Sequence, residues 1–303
     1  MNYIMILIGF VLLIKGADFF VEGASSIAKR FHIPEMIIGL TIVAMGTSLP
    51  ELSVSFISAL NDQSDMSIAN AIGSNIFNLL MILGVSAFIK TLPIKESTIR
   101  DIFILISATL LLLILSYFGL SLIWLDGLVM LCLFAYFIRT MIKESKDNND
   151  NNSKSYSMIK TIIYIVCGAI GIIYGGNLVV NNATVIAQTF GMSDNLIGLT
   201  VVALGTSLPE FVTSVMATKK GKLDIAIGNV IGSNIFNILF VLGLSSLFNV
   251  LTINAITLID IFFSLFITII LFCIVYSYKR IGKLSGTIFI VLYISYMLFT
   301  IIR

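Results

Sequence analysis

The sequence predicts an all-α membrane protein with ten transmembrane helices in two inverted five-helix repeats. Of its 303 residues, 58% are hydrophobic and only 11% are charged, whereas a soluble domain carries about 25% charged residues. The chain also repeats itself at an offset of 159 residues, as the two copies 39–51 and 198–210 show. Each repeat holds five apolar segments. Because that number is odd, the second copy must enter the membrane from the opposite side.

The predicted spans follow from the rule that a membrane-crossing helix needs about 20 mostly apolar residues. In chain order we expect helices at 2–21, 36–60, 67–89, 101–118, 122–142, 158–188, 195–218, 225–248, 254–277 and 285–302. The segment between the halves is polar and Asn-rich, so it is expected to be a solvated linker. The chain therefore divides into a first repeat (1–142), a linker (143–157) and a second repeat (158–303).

The basic residues predict the orientation. With ten spans, sixteen of the eighteen Lys and Arg residues fall on or beside the loops of one face. Arg303 lies on the other face, and Lys15 lies within the first span. The positive-inside rule places the basic face in the cytoplasm. We therefore expect a cytoplasmic linker and external termini, in the plasma (inner) membrane.

The first repeated motif places a glutamate within an apolar span. GLTIVAMGTSLPE, ending at Glu51, and its copy ending at Glu210 are identical at eleven of thirteen positions. A charged residue there costs about 2.5–3.5 kcal/mol or more. Pro50 lacks an N–H and its ring clashes with the Gly46 carbonyl, so the helix should break and free the carbonyls between Ala44 and Thr47. Carbonyl, hydroxyl and carboxylate oxygens together suit hard cations such as Na+ and Ca2+.

The second repeated motif supplies another wall of polar groups. NAIGSNIFNLLMILG, from Asn70, and its copy from Asn229 are identical at eleven of fifteen positions. Asn70, Ser74 and Asn78 are spaced by four, so they share one helix face. Their copies are Asn229, Ser233 and Asn237. The duplicated glutamate and amide motifs together predict a cation site.

Simpler interpretations exist for both motifs. Ser48 and Glu51 have the spacing of a capping box, with proline in the first turn. Small and polar residues such as Ser74 also form hydrogen bonds between membrane helices, worth about 0.6–2 kcal/mol each. The duplication of both motifs near mid-membrane favours the cation site. Asn75 and Asn234 turn away from the shared face and are not assigned to it.

The pairing of GTSLPE with GSNIFN in both halves resembles the alpha-repeats of the cation/calcium antiporter superfamily, and within it the prokaryotic sodium/calcium exchangers. The resemblance implies a ten-helix exchanger with four ion sites at its centre. It implies that Ca2+ is held by Glu51 and Glu210 and by the carbonyls of Thr47 and Thr206. The sodium ligands that it implies are Ala44, Ser48, Ser74, Asn78, Ala203, Ser207, Ser233 and Asn237.

The predicted function is antiport of Na+ against Ca2+ by alternating access, in which two carboxylates neutralise one Ca2+ or two Na+. An H+/Ca2+ antiporter and a K+-dependent exchanger are the nearest alternatives, and a gated cation channel is a further one. The K+-dependent branch has an aspartate where this chain has Asn237, which argues against K+ dependence. An inverted duplication within one chain favours a carrier over a channel.

An enzyme is not expected. His32 is the only histidine, and the HExxH motif and a Ser–His pairing are both absent from the sequence. We expect Na+ and Ca2+ as transported substrates and the lipid bilayer as surroundings, with no organic cofactor and no nucleic acid.

Overall fold

The helices of the computed structural model account for most of the residues that it describes, which are 1–145, 156–191 and 203–302. In chain order the helices are α1 (Asn2–Arg30), α2 (Glu35–Thr47), α3 (Leu49–Leu60), α4 (Ser64–Ile89), α5 (Glu96–Gly119), α6 (Trp124–Ser145), α7 (Met158–Thr189), α8 (Ala203–Thr206), α9 (Leu208–Lys219), α10 (Leu223–Phe248), α11 (Ala255–Tyr278) and α12 (Lys283–Ile302). The strands are β1 (Leu92–Pro93), β2 (Ser121–Leu122), β3 (Leu251–Thr252) and β4 (Arg280–Ile281).

Long apolar helices dominate the fold. Within the described ranges, eight of them, α1, α4–α7 and α10–α12, are long and apolar enough to cross a membrane. The bent pair of α2 and α3 would make a ninth span if it crosses as one unit. The corresponding pair in the second half is α8 and α9. The predicted span 195–218 is therefore described only from Ala203, since residues 192–202 lie outside the described part of the chain.

Several predicted helix ends differ from the structure, most of all in α1, where charged residues find a partner. The first helix, predicted to end at 21, continues to Arg30. Its acidic residues Asp18 and Glu22 pair with Lys220 instead of ending the helix. Helix α6 runs to Ser145, into the predicted linker 143–157. Residues 146–155 of that linker lie outside the described residues.

Four two-residue strands lie outside the all-α prediction. They are too short to show the alternation by which a strand is recognised. β1 pairs with β4, and β2 pairs with β3, both antiparallel. β1 and β2 stand at the start and end of α5, whereas β3 and β4 stand at the start and end of α11. The start of α5 therefore lies beside the end of α11, and the end of α5 lies beside the start of α11. These two helices, which occupy equivalent positions in the repeats, run antiparallel.

The described helices form a buried centre and an apolar exterior. The most apolar stretch of α10 is 94% buried and that of α4 is 72% buried, whereas the other six candidate spans are only 17–39% buried. Large apolar side chains such as Phe103, Tyr136, Ile163 and Phe266 are exposed on those outer helices. An exterior of this kind suits the hydrocarbon of a bilayer. The chain is thus an integral membrane protein whose two central helices avoid lipid.

Helices α1 and α7 cross at glycines that occupy equivalent positions in the repeats. A Cβ at Gly16 would lie 2.7 Å from the Ile172 nitrogen and 2.9 Å from the Gly168 carbonyl oxygen. A Cβ at Gly175 would lie 2.7 Å from the Gly9 carbonyl oxygen. Because the obstacles are backbone atoms, only glycine allows this close helix contact.

Ion pairs join the loops of one face, which we call the positive face. Lys220 Nζ lies 2.6 Å from Asp18 and 2.8 Å from Glu22. Burial lowers the pKa of Lys220, but its bonds to these two carboxylates outweigh that effect and leave the pKa raised. Lys95 reaches Asp224 at 2.6 Å. The loops that the charge pattern assigned to one face are therefore brought together there.

Other pairs extend the same face. Lys222 lies 3.2 Å from Glu35, and Lys279 lies 2.9 Å from Glu96. At the opposite face, the positions equivalent to Lys95 and Asp224 are Asn254 and Asp65. Asn254 donates to Asp65 at 2.8 Å, so only one of these two partners is charged. By the offset of 159, the equivalents of Lys220, Asp18 and Glu22 are Asn61, Asn177 and Asn181. The two faces of the molecule thus differ in charge at matching positions.

We predict that Gly16→Ala lowers stability by about 1–3 kcal/mol, the usual cost of overpacking, because the new methyl group meets the backbone of α7. Thermal unfolding in detergent measures the effect. Gly282→Ala is the matched control, since no described atom lies within 4 Å of its Cβ position. Equal melting temperatures for the two variants would contradict the close helix crossing.

Candidate cation site

The helix breaks where each repeat carries its proline. In the first repeat α2 ends at Thr47, Ser48 leaves the helical conformation at φ −85° and ψ 12°, and α3 begins with Leu49 and Pro50. The two helices meet at an angle of 50°. Ser207 stands at the equivalent position between α8 and α9, with φ −86° and ψ 2°. The predicted break is therefore confirmed in both halves.

The prediction that the break leaves backbone carbonyls without hydrogen-bond donors is only partly correct. Pro50 has no N–H, so it cannot donate to the Gly46 carbonyl. The Ala44 carbonyl, however, accepts from the Ser48 N–H at 3.0 Å, because the chain remains helical through Thr47. It also lies 3.5 Å from the Ser233 hydroxyl. The expectation of a free carbonyl is therefore wrong for Ala44.

Two fully buried glutamates are each held by the serine of the other break. Ser48 Oγ donates to Glu210 Oε1 at 2.7 Å, and Ser207 Oγ donates to Glu51 Oε1 at 3.1 Å. Ser74 Oγ donates to the same Glu51 oxygen at 3.3 Å. Ser48 and Ser207 make no side-chain capping bond to the helices that follow them. The capping-box alternative therefore does not describe these turns, and the serines instead connect the two repeats.

Asn70 braces the first break from the side. Its Nδ2 donates to the Glu51 carbonyl oxygen at 3.2 Å and to Ser55 Oγ at 2.9 Å. Its Oδ1 accepts from Thr206 Oγ1 at 3.3 Å, across the junction of the repeats. The side chain is therefore occupied by protein groups and holds the backbone of the break in place.

Asn229 braces the second break in the same way. Its Nδ2 donates to the Glu210 carbonyl oxygen at 3.4 Å and to Ser214 Oγ at 2.9 Å. Its Oδ1 accepts from Thr47 Oγ1 at 3.1 Å. Thr47 and Thr206 therefore give their hydroxyl hydrogens to these braces, and each can still offer its backbone carbonyl and its hydroxyl lone pairs to a ligand.

Asn75 and Asn234, which the sequence pattern placed off the shared face, are part of the buried junction. Both are fully buried. Asn78 Nδ2 donates to Asn234 Oδ1 at 3.0 Å, and Asn237 Nδ2 donates to Asn75 Oδ1 at 3.1 Å. The signal that could have found them is their duplication within GSN at the same offset. Both lie on regular helix before the wider turns that begin at Asn78 and Asn237, and they reach the junction because each faces the backbone of the other repeat.

Four buried side-chain oxygens at this junction accept no hydrogen bond from any described atom. They are Glu51 Oε2, Glu210 Oε2, Asn78 Oδ1 and Asn237 Oδ1, two from each repeat at equivalent positions. A buried acceptor without a donor costs about 1–3 kcal/mol, and more when it is charged. Such a group of oxygens is suited to a bound hard cation, which supplies the missing positive charge.

The structure brings the predicted ligands together, apart from one position. Hydrogen bonds place these ligands in two buried groups. Glu51, Ser74, Asn78, Thr206, Ser207 and Asn237 are joined through Asn70, Asn75 and Asn234. Thr47, Ser48, Glu210 and Ser233 are joined through Asn229 and the Ala44 carbonyl. Ala203 begins α8, and its side-chain surroundings lie outside what the structure describes. Gly232 approaches the Leu40 backbone, since a Cβ there would lie 2.4 Å from the Leu40 oxygen, whereas Gly73 at the equivalent position has no described atom within 4 Å of its Cβ position.

Comparison with known proteins places the chain in a family. Residues 1–143 and 160–302 match the family described as "Sodium/calcium exchanger protein". The sodium/calcium exchanger MaX1 of Methanosarcina acetivorans is 32% identical over 343 aligned positions, covering 98% of this chain and 97% of that protein. An uncharacterized membrane protein of Methanocaldococcus jannaschii is 36% identical over 292 residues, covering 95% and 94%.

A solved structure also matches almost the whole fold. The sodium-calcium exchanger NCX_Mj, soaked with Na+ and Sr2+, superposes with a TM-score of 0.88 at 33% identity, covering 97% of this chain and 96% of that one. The duplicated helix breaks, the buried carboxylates and these similarities lead to one conclusion: the chain belongs to the sodium/calcium exchanger protein family.

Proposed function

We propose that this protein exchanges Na+ for Ca2+ across a membrane by alternating access, with the cations bound where the two repeats meet. The four buried, unpartnered oxygens of Glu51, Glu210, Asn78 and Asn237 carry the proposal. Family membership supports the choice of ions, since both MaX1 and NCX_Mj are described as sodium/calcium exchangers. Na+ and Ca2+ are then transported substrates, and the function requires neither an organic cofactor nor catalysis.

The proposed architecture has ten spans in two inverted repeats, 1–142 and 158–303, joined by the linker 143–157. The antiparallel course of α5 and α11 supports it, as does the reciprocal crossing of Gly16 with Gly168 and of Gly175 with Gly9. The predicted span 195–218, of which α8 and α9 are the described part, is the tenth. The positive face and the linker are cytoplasmic and both termini are external, in the plasma (inner) membrane.

The proposed Ca2+ ligands are the carboxylates of Glu51 and Glu210 and the carbonyls of Thr47 and Thr206. Ca2+ takes about six to eight oxygen ligands, which two carboxylates and nearby carbonyls can approach. The threonine hydroxyls donate to Asn229 and Asn70, and we assign the threonine backbone carbonyls to the ion. The proposed Na+ ligands are the neutral oxygens of Ala44, Ser48, Ser74, Asn78 and their copies Ala203, Ser207, Ser233 and Asn237, together with the shared carboxylates.

Shared ligands couple the two ions. Two carboxylates balance the charge of one Ca2+ or of two Na+, and the site lies in a fully buried region where uncompensated charge is costly. The bound Ca2+ must therefore leave before Na+ can fill the site, and bound Na+ must leave before Ca2+ can bind. Exchange follows when only loaded sites change their exposure from one side to the other.

Flux in proteoliposomes tests this function against its alternatives. We expect an outward or inward Na+ gradient to drive saturable Ca2+ movement in the opposite direction, with no requirement for K+. Ca2+ movement driven by a pH gradient alone and indifferent to Na+ would identify an H+/Ca2+ antiporter. Single-channel currents without dependence on a counter-ion would identify a channel.

The glutamates are predicted to be essential for Ca2+ binding. Glu51→Gln and Glu210→Gln keep the shape and one acceptor oxygen but lose the charge that neutralises the ion. We expect each to lower Ca2+ transport at least 100-fold, because one charge-assisted ligand contributes about 3 kcal/mol or more in a buried site. The measurement is Na+-driven 45Ca uptake by purified, folded protein. Uptake near that of the parent protein would show that the carboxylates serve only structure.

The threonines are predicted to act through their carbonyls. Thr47→Val removes the hydroxyl that donates to Asn229 at 3.1 Å but retains the backbone oxygen. We expect ion-free stability to fall by about 1–2 kcal/mol, while the Ca2+ concentration for half-maximal transport changes less than about threefold. Thr47→Ser, which keeps the hydroxyl, is the control. Loss of Ca2+ affinity in Thr47→Val alone would assign the hydroxyl, and not the carbonyl, to the ion.

A further inference from the structure

We propose that Asn75 and Asn234 are positioning residues that fix the side-chain amides of Asn78 and Asn237, so that each presents its oxygen to the cations and withholds its NH2 group. The inference rests on the proposed function, which supplies the cations. It assigns a role to two residues that make no contact with the glutamates in the described hydrogen bonds.

The first step is an exchange of hydrogen bonds across the junction. Asn75 Nδ2 donates to the Asn234 backbone oxygen at 3.2 Å, and Asn234 Nδ2 donates to the Asn75 backbone oxygen at 3.1 Å. A backbone carbonyl only accepts hydrogen bonds. The nitrogen of each amide must therefore face the opposite backbone, and this removes the usual ambiguity between the two ends of an asparagine side chain.

The second step follows from the first. Because the Nδ2 groups of Asn75 and Asn234 donate to the opposite backbone, only the Oδ1 atom of each side chain faces the neighbouring asparagine. An amide oxygen can only accept a hydrogen bond. Asn78 donates its Nδ2 to Asn234 Oδ1 at 3.0 Å, and Asn237 donates its Nδ2 to Asn75 Oδ1 at 3.1 Å. The orientation of Asn78 and Asn237 is thus determined by groups of the opposite repeat.

The third step is the consequence for the site. Asn78 Oδ1 and Asn237 Oδ1 are left buried and without a donor, as are the outer oxygens of the two glutamates. If either amide turned by 180°, its NH2 group would replace this oxygen and its oxygen would face the oxygen of Asn234 or Asn75. The reversed amide would present positively polarised hydrogens where a cation binds, and would set two acceptors against each other.

The test is a double-mutant cycle between positions 234 and 78. Asn234→Leu removes the oxygen that accepts from Asn78. We expect the Na+ concentration needed for half-maximal thermal stabilisation of the protein to rise about tenfold. A change of this size corresponds to the loss of one hydrogen bond to a charged group. The same rise is expected in the KM for Na+, with a smaller change in kcat. Thermal stabilisation by Na+ reports binding without transport.

The background variants separate positioning from packing. In Asn78→Ala the oriented oxygen is already gone, so adding Asn234→Leu should leave the Na+ affinity unchanged within about twofold. In Asn237→Ala, whose native amide is held by Asn75, Asn234→Leu should keep its tenfold effect. Asn234→Ala repeats the series with a smaller side chain, and Asn75→Leu paired with Asn237→Ala repeats it in the other half.

A tenfold effect that persists in Asn78→Ala would overturn the inference, because it would then not act through Asn78. So would a variant with a lower ion-free melting temperature but parental Na+ affinity, since that pattern indicates a structural role alone. The Na+ response of the parent protein reports on the proposed function, whereas the coupling between positions 78 and 234 reports on this inference. The two failures are therefore distinguishable.

Discussion

Two buried carboxylates, each bonded to the serine of the opposite repeat, are the constraint on which the rest of this structure depends. Ser48 reaches Glu210, and Ser207 reaches Glu51, because both helices break at the same motif and the breaks face each other. The break requires the prolines, and the close approach requires glycines such as Gly232. Placing two carboxylates at the centre of an apolar bundle is costly. The surrounding amides and hydroxyls form a polar interior that the outer helices separate from lipid.

The sequence predicted those features that depend on residue type and order. A proline in the interior of a helix removes a hydrogen bond and clashes with the preceding turn, and the helix breaks as expected before Pro50 and Pro209. Lysines of the loops assigned to one face also meet there in ion pairs, as expected. Glu51 and Glu210 could be singled out as candidate ligands because ionisable residues are rare in such segments, and their role as ion ligands stays a prediction. The ten-helix count stays a prediction, since residues 192–202 and 146–155 lie outside the described ranges.

Other features could not be predicted, because they depend on contacts between the repeats. Asn75 and Asn234 lie off the polar stripe of a regular helix, and only the packing of α4 against α10 shows that each faces the other's backbone. The Ala44 carbonyl was expected to be free, but the chain stays helical just long enough for Ser48 to donate to it. The length of α1 was underestimated because the partner of Asp18 and Glu22 is Lys220, some two hundred positions away in the chain.

The positive face has a consequence for the energy of the whole molecule. If the two repeats were identical, an exchanger that opens alternately to its two sides would have two end states of equal free energy. Here Lys220, Lys222 and Lys95 form ion pairs at one face, while the matching positions at the other carry Asn61, Gln63 and Asn254. Partly exposed ion pairs contribute roughly 0.2–1 kcal/mol each, so three of them can bias the two states by about tenfold. The duplicated fold is thus unequal at its two faces, and the ionic strength on the positive side screens the ion pairs that make it so.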